Sequence, residues 1–264
     1  MMGDQEREIL LTAENISLTA TRDGEASVLS FSVPRKGIHG VLGPVGAGKG
    51  ELLRILACVD EVRSGSVLLD GQRLSANAVT LRKRIGYVPA KPCLEGTMTV
   101  AETLAFAGAA KGVNSDRREK QIREALSLLA LEERKNRLVS RLTEAELWRL
   151  TLAVALLGNP ELLLLEEPLA SLGEDTRESR VELLGMLGKV KTVVLSTASF
   201  GVARELCEDV LLLSDGGLLA KGSFDELEKT LASHDETLTL EDVYRQLCGT
   251  CAAHVCVTEE EVAE

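Results

Sequence analysis

Aromatic residues are scarce in this chain: one Trp, two Tyr and four Phe make up 3% of 264 residues. So few rings give no material for the stacking platforms that hold single-stranded nucleic acid. Positive charge is also in deficit. Lys and Arg number 30 against 41 Asp and Glu, and the formal net charge is −11. That sign repels a phosphate backbone and excludes nucleic acid as the main partner. It leaves room for a nucleotide, which can be bound by local backbone dipoles. Long apolar runs are missing too. Residues 150–158 are too few to span a bilayer, and Asn159-Pro160-Glu161 ends the run. Residues 1–8 are polar and acidic, unlike a signal peptide. Any role at a membrane is therefore expected to pass through a partner. The six cysteines suit a reduced, cytosolic chain.

What is present is apolar mass in alternating segments. With 45% hydrophobic residues, the length suits one large α/β domain. Residues 9–18 and 26–33 read as strands from their alternation and β-branched content, 37–42 as a short apolar strand, and 67–70 and 85–88 as further strands. Residues 48–58 read as a helix, with Leu52, Leu53, Ile55 and Leu56 on one side. From 95 to 158 the pattern turns helical, over 99–111, 116–130 and 144–157. Strands return at 161–165, 192–195 and 210–213, and Asp215-Gly216-Gly217 reads as a hairpin turn. Two terminal helices are expected at 223–232 and 239–247. The whole predicts a domain over 1–247, with a helical insertion at about 95–158 and an acidic, Cys-containing tail at 248–264.

Two segments carry chemistry. Gly43-Pro44-Val45-Gly46-Ala47-Gly48-Lys49-Gly50 fits the phosphate-loop pattern G-x-x-x-x-G-K-[ST] up to its last position. Its glycines let backbone N–H groups face phosphate oxygens, and Lys49 is placed to reach the terminal phosphates. The final hydroxyl, which would ligate Mg²⁺, is absent at Gly50. Gly43, Gly46, Ala47, Gly48, Lys49, Gly50 and Glu51 are the candidate nucleotide-binding residues. The second segment is Leu162-Leu163-Leu164-Leu165-Glu166-Glu167-Pro168. Four leucines fit a strand buried on both faces. Two carboxylates follow at the strand's C-terminal end, where parallel sheets place their chemistry.

In these segments the chain resembles the ATP-binding subunit of ABC transporters. The two loops resemble that family's Walker A and Walker B motifs. Leu142-Thr143-Glu144-Ala145-Glu146 stands in the place of its LSGGQ signature. Ile85-Gly86-Tyr87-Val88-Pro89-Ala90 resembles the strand into the Q-loop, Leu195-Ser196-Thr197-Ala198 the strand ending at the switch histidine, and 169–174 the D-loop. Thr239-Leu240-Glu241-Asp242-Val243-Tyr244 is similar to the closing helix of many exporter, ABC-2 type, subunits. The resemblance implies a P-loop NTPase fold of the ABC ATPase type: an α/β, mixed-sheet core with an inserted helical subdomain. It implies ATP and Mg²⁺ as cofactors, an integral membrane partner, a second ATP-binding subunit in a homo- or heterodimer, and a place on the inner face of the cell membrane.

Departures from the family pattern cluster at its working positions. Gly50 lacks the metal-binding hydroxyl. Ala90 replaces the Q-loop glutamine, Ala198 the switch histidine, Gly173 the D-loop aspartate, and Glu166 the Walker B aspartate, the position that would touch metal. Ala20 stands near the usual adenine-stacking aromatic. Glu167 alone keeps its place as the family's general base. Thr143-x-x-Glu146 reads as a capping box, so Glu144 and Glu146 complement a helix dipole that in the family meets phosphate. Phosphoryl transfer depends on positioning and charge neutralisation. Loss of one electrostatic donor typically costs about 10²–10³ in rate. The expectation is an ATP-binding subunit with weakened nucleotide binding, a compromised Mg²⁺ site and little or no hydrolysis. The alternative is an active ATPase that energises export through a membrane partner.

Four soft ligands in the tail, Cys248, Cys251, His254 and Cys256, match no common zinc spacing and read as free groups. His39 and His234 are isolated. Trp148, beside the signature segment, reads as helix packing or as a contact surface for a partner.

Overall fold

A computed structural model describes residues 8–19, 28–170 and 172–231, together with Glu241 and Tyr244. In chain order its elements are β1 (Ile9–Ser17), β2 (Val28–Pro34), β3 (Gly37–Leu42), α1 (Lys49–Leu56), β4 (Ser66–Leu69), β5 (Gln72–Arg73), α2 (Val79–Arg82), β6 (Ile85–Val88), α3 (Val100–Ala110), α4 (Ser115–Leu128), α5 (Glu144–Leu156), β7 (Leu162–Glu166), α6 (Glu174–Gly188), β8 (Thr192–Thr197), α7 (Phe200–Leu206), β9 (Asp209–Ser214), β10 (Gly217–Gly222) and α8 (Phe224–Leu231).

Two sheets form the core. The larger runs β10-β9-β3-β8-β7-β6; it is parallel except for β10, which returns antiparallel to β9 through the Asp215-Gly216 turn. The smaller is antiparallel, in the order β2-β1-β4-β5. The burial patterns follow from these positions. β3, β7 and β8 sit inside the parallel sheet and are buried at every residue, and their sequences are mostly apolar without alternation. β1 and β2 alternate more, as strands of an antiparallel sheet do. α1 lies between the sheets, with Leu52, Leu53, Ile55 and Leu56 at 2% exposure or less.

Between β6 and β7 the chain runs through α3, α4 and α5. Thr99 begins α3 with a capping box closed by Glu102. Asn114 caps α4 by accepting from the Arg117 N–H. Lys111, just past α3, donates to the carbonyls of Val154, Ala155 and Leu157 at 2.8–3.0 Å. It thereby supplies a cation and three donors to the C-terminal turn of α5. The expected helix at 239–247 lies outside the described residues except for Glu241 and Tyr244. The Tyr244 hydroxyl donates to the Leu213 carbonyl at 2.6 Å. The 248–264 tail, Ala20 and His234 also lie outside them. Among the described residues, no helix is long and apolar enough to cross a membrane.

Candidate functional site

β3 leads into the glycine loop and α1 leads out of it. Gly46 and Gly48 take φ of 88° and 92°, the left-handed region that glycine enters without steric cost. A side chain at Gly46 would meet nothing within 4 Å, so the loop's outer edge is open. Gly43 and Ala47 serve the other side of the loop. A Cβ on Gly43 would lie 2.7 Å from the Leu213 carbonyl, and Ala47 is buried. α1 starts from Gly48 with no side-chain cap, so no capping side chain occupies its first N–H groups. Glu51 in its first turn accepts from the Thr19 N–H at 2.9 Å and from the Thr19 hydroxyl.

Lys49 is buried to 7% exposure. Its ammonium donates to the Gly43 and Pro44 carbonyls at 2.7 and 3.0 Å and lies 3.3 Å from Glu167. Glu167 follows β7 with φ of 43°, a sparsely populated conformation for a residue with a side chain. Its N–H donates to the Ser196 hydroxyl at 3.1 Å, which fixes the turn against β8.

Glu166, the last residue of β7, is surrounded by donors. The Tyr87 hydroxyl donates to one carboxylate oxygen at 2.8 Å and the Ala90 N–H to the other at 3.2 Å. The Arg54 guanidinium stands 3.8 Å away. Burial, together with the adjacent Glu166 carboxylate, pushes the Tyr87 phenol well above its ordinary pKa. Arg54 is itself steadied by Asp60, which accepts from its Nε at 2.8 Å and holds the guanidinium protonated. A Cβ added at Gly50 would lie 3.3 Å from Arg54 Nη1 and 3.5 Å from Glu166 Oε1. The missing side chain, the arginine head and the carboxylate thus share one small volume.

These groups line an open cleft of about 610 Å³. It gathers Gly46, Gly48, Lys49, Gly50, Glu51, Glu166 and Glu167 with Ala90 and Ala198. Gly173, the N-cap of α6, is exposed and is not among the lining residues. The glycine loop and the uncapped start of α1 fit phosphate oxygens. For Mg²⁺, which demands near-octahedral oxygen ligands, the side chains of the same cleft offer carboxylates and the Ser196 hydroxyl alone among the described residues that line it. Gly50 offers no hydroxyl, Ala90 and Ala198 present methyl groups, and both Glu166 oxygens already accept from protein donors.

The signature segment starts α5, and there the helix end is closed. The Thr143 side chain accepts from the Glu146 N–H, and the Glu146 carboxylate accepts from the Thr143 N–H at 2.9 Å and from Arg134 Nε at 2.6 Å. These bonds, the Thr143 backbone first, hold the Glu146 carboxyl below its usual range. Glu146 is therefore folded onto the protein, and Glu144 is the exposed acid of the pair. Trp148 is 6% exposed beneath the Arg180 guanidinium, 4.1 Å from the ring centre. Its partner-surface reading is thereby corrected: the ring is packed inside this chain. Arg180 also donates to the Pro168 carbonyl at 2.8 Å, linking α6 and α5 to the turn after Glu167; burial lowers its pKa to about 10. His39 is a core residue, its ring between Asp209 at 2.9 Å and the Lys36 carbonyl at 2.9 Å.

Arg54, Tyr87 and Arg180 are site neighbours that sequence reasoning missed. Arg54 alone left a local trace, since it follows Gly50 by one helical turn and so shares its face.

The description "ABC transporter" matches residues 26–170, more than half of the chain. The chain is 34% identical over 209 residues to the Nod factor export ATP-binding protein I of Rhizobium etli, covering 79% of this chain and 66% of that protein. It is 33% identical over 217 residues to the probable sulfate/thiosulfate import ATP-binding protein CysA of Chlorella vulgaris, covering 81% of this chain and 91% of that one. Against several Nod factor export relatives it spans just under two thirds of their length, 64–66%. Among solved structures, it superposes on the ATP-binding cassette MJ0796, described as a dimer in a post-hydrolysis state with ADP and Pi. The TM-score is 0.71 at 26% identity, covering 81% of this chain and 98% of that chain.

Proposed function

The chain belongs to the ABC transporter family of ATP-binding domains, and from that membership we propose that it serves a membrane transport complex as a nucleotide-binding subunit with little or no hydrolysis. The observation that carries the reading is Glu166. Both oxygens of the carboxylate in the metal position accept from Tyr87 and Ala90, while Gly50 supplies no hydroxyl beside it. Without a placed metal, the charge that develops on the transferring phosphate is not neutralised, so a water activated at the general-base position of Glu167 gains little. The chain's role is then structural or regulatory. A cytoplasmic, membrane-peripheral place follows from this reading, as does pairing with an integral membrane subunit. The dimeric MJ0796 cassette supports a second ATP-binding subunit as partner. The Nod factor export relatives favour export as the direction, while the CysA relative is named for import. Within the domain, residues from about 95 to 158, which carry α3, α4 and α5, act as the helical insertion.

A second reading is an active ATPase, favoured by Glu167 standing 3.3 Å from Lys49 beside an intact glycine loop. Phosphate release from purified chain supplied with MgATP separates the two. The proposed reading expects no release above background and no change in Glu167→Gln. A metal-dependent turnover near about one per second, within the ordinary enzyme range and abolished by Glu167→Gln, would overturn it.

A further inference from the structure

We propose that the cleft takes the phosphates of a nucleotide free of divalent metal, with the Arg54 guanidinium in the place a metal would occupy; this rests on the preceding reading. In the family pattern the hydroxyl after the lysine and the Walker B carboxylate hold the metal between them. In this chain the space between those two positions belongs to Arg54. Its Nη1 lies 3.3 Å from where a Gly50 Cβ would be, and 3.8 Å from the Glu166 carboxylate. A larger side chain at Gly50 would press on that guanidinium. Glycine at this position leaves the arginine head its room.

The chemistry suits the exchange. A guanidinium is always charged, presents its donors in a planar fork and matches phosphate oxygens in pairs. Asp60 engages the Nε edge at 2.8 Å, and the head retains 38% exposure towards the cleft that Lys49 and the glycine loop also line. Arg54 is one helical turn beyond Gly50, so the two share a face of α1. The nearby carboxylates are each held in place by the protein, and Glu167 and Asp60 are ion-paired with Lys49 and Arg54. Glu166 accepts from Tyr87 and Ala90, Glu167 faces Lys49, and Glu51 accepts from Thr19. An anion entering the cleft thus meets two ion-paired cations and a row of backbone N–H groups, with the Glu166 and Glu51 carboxylates held beside them.

The test is titration of the full chain with a fluorescent N-methylanthraniloyl ATP, once in EDTA and once in excess Mg²⁺. The expected result is an affinity in EDTA equal to or tighter than that in Mg²⁺. Arg54→Met is expected to weaken binding in EDTA by about tenfold or more, the usual worth of a charged hydrogen bond. Arg54→Lys keeps the charge without the fork and should fall between, and it stands in if the methionine variant proves unfolded by circular dichroism. Glu166→Gln, which removes a negative charge beside Arg54, should tighten binding in EDTA. While phosphate release tests the non-hydrolysing reading separately, binding at least about tenfold tighter with Mg²⁺ would overturn the proposal. So would absence of binding in both conditions, or an Arg54→Met affinity equal to wild type. Metal-dependent turnover would overturn both.

Discussion

α1 and α5 begin in opposite ways, and the contrast shows what separates a binding end of a helix from a structural one. Every α-helix starts with N–H groups that have no partner in the helix. At α1 the preceding residue is Gly48, which has no side chain to offer, and no cap bond is made. At α5 the preceding residue is Thr143, and a reciprocal box with Glu146 takes up donors at the helix start. Arg134 then pins the Glu146 carboxylate from outside. Both ends occupy positions that, by family resemblance, face phosphate. One keeps its donors for a visitor, whereas the other has spent them on itself. α3 supplies the internal control, since Thr99 and Glu102 close it with the same box far from any proposed ligand.

The largest expected effect lies at the open end. Lys49→Ala should lower nucleotide affinity by about ten- to a hundredfold, the loss of a charged contact to phosphate. A fluorescent-nucleotide titration measures it, and an unchanged affinity would erase the distinction between the two ends. Next comes the closed end. Glu146→Ala removes the carboxylate's bonds to Thr143 and Arg134 and should cost about 2 kcal/mol of stability. For a chain of this size that is a fall of roughly 4–8 °C in the unfolding midpoint. Nucleotide affinity should stay the same; if it drops with stability, α5 is also a binding end. Thr143→Ala, which removes one cap, should cost about 1 kcal/mol on the same measurement. The smallest effect is in pH. The Glu146 carboxyl is held below its ordinary value of 4.5, so its contribution is complete above that value and fades as pH falls through the folded one. The stability difference between wild type and Glu146→Gln should shrink on acidification below about pH 4.5. A difference that is flat with pH would mean that the box holds without the charge.

Much of this was legible in the sequence because the relevant signals are local. The glycine loop, the four leucines of β7 and the Thr143-x-x-Glu146 box each state their geometry within a few residues. The strands buried on both faces were readable for the same reason. Tyr87 is different: its hydroxyl bond to Glu166 joins residues 79 apart in the chain, and only the pairing of β6 with β7 brings them together. Arg180 reaches Trp148 and Pro168 from a third element, α6, so no periodicity announces it. Arg54 drew no reading of its own, since the helix was recognised by its leucines and Ile55. Its meaning depends on what Gly50 lacks, and a missing side chain becomes visible only when its space is seen to be filled. Trp148 had two readings because a tryptophan near a helix start serves packing and partner contact equally well; burial chose between them.

α5 is fastened at both extremities, by the Thr143 box at one and by the Lys111 ammonium on Val154, Ala155 and Leu157 at the other. Fraying from either terminus is thereby suppressed. Its amide protons should trade with solvent chiefly through rare cooperative opening, more slowly than those of α1, whose start is unclamped. In deuterium exchange the helix would register as a single late block, a rigid rod that carries a push at one end to the other with little lost to bending.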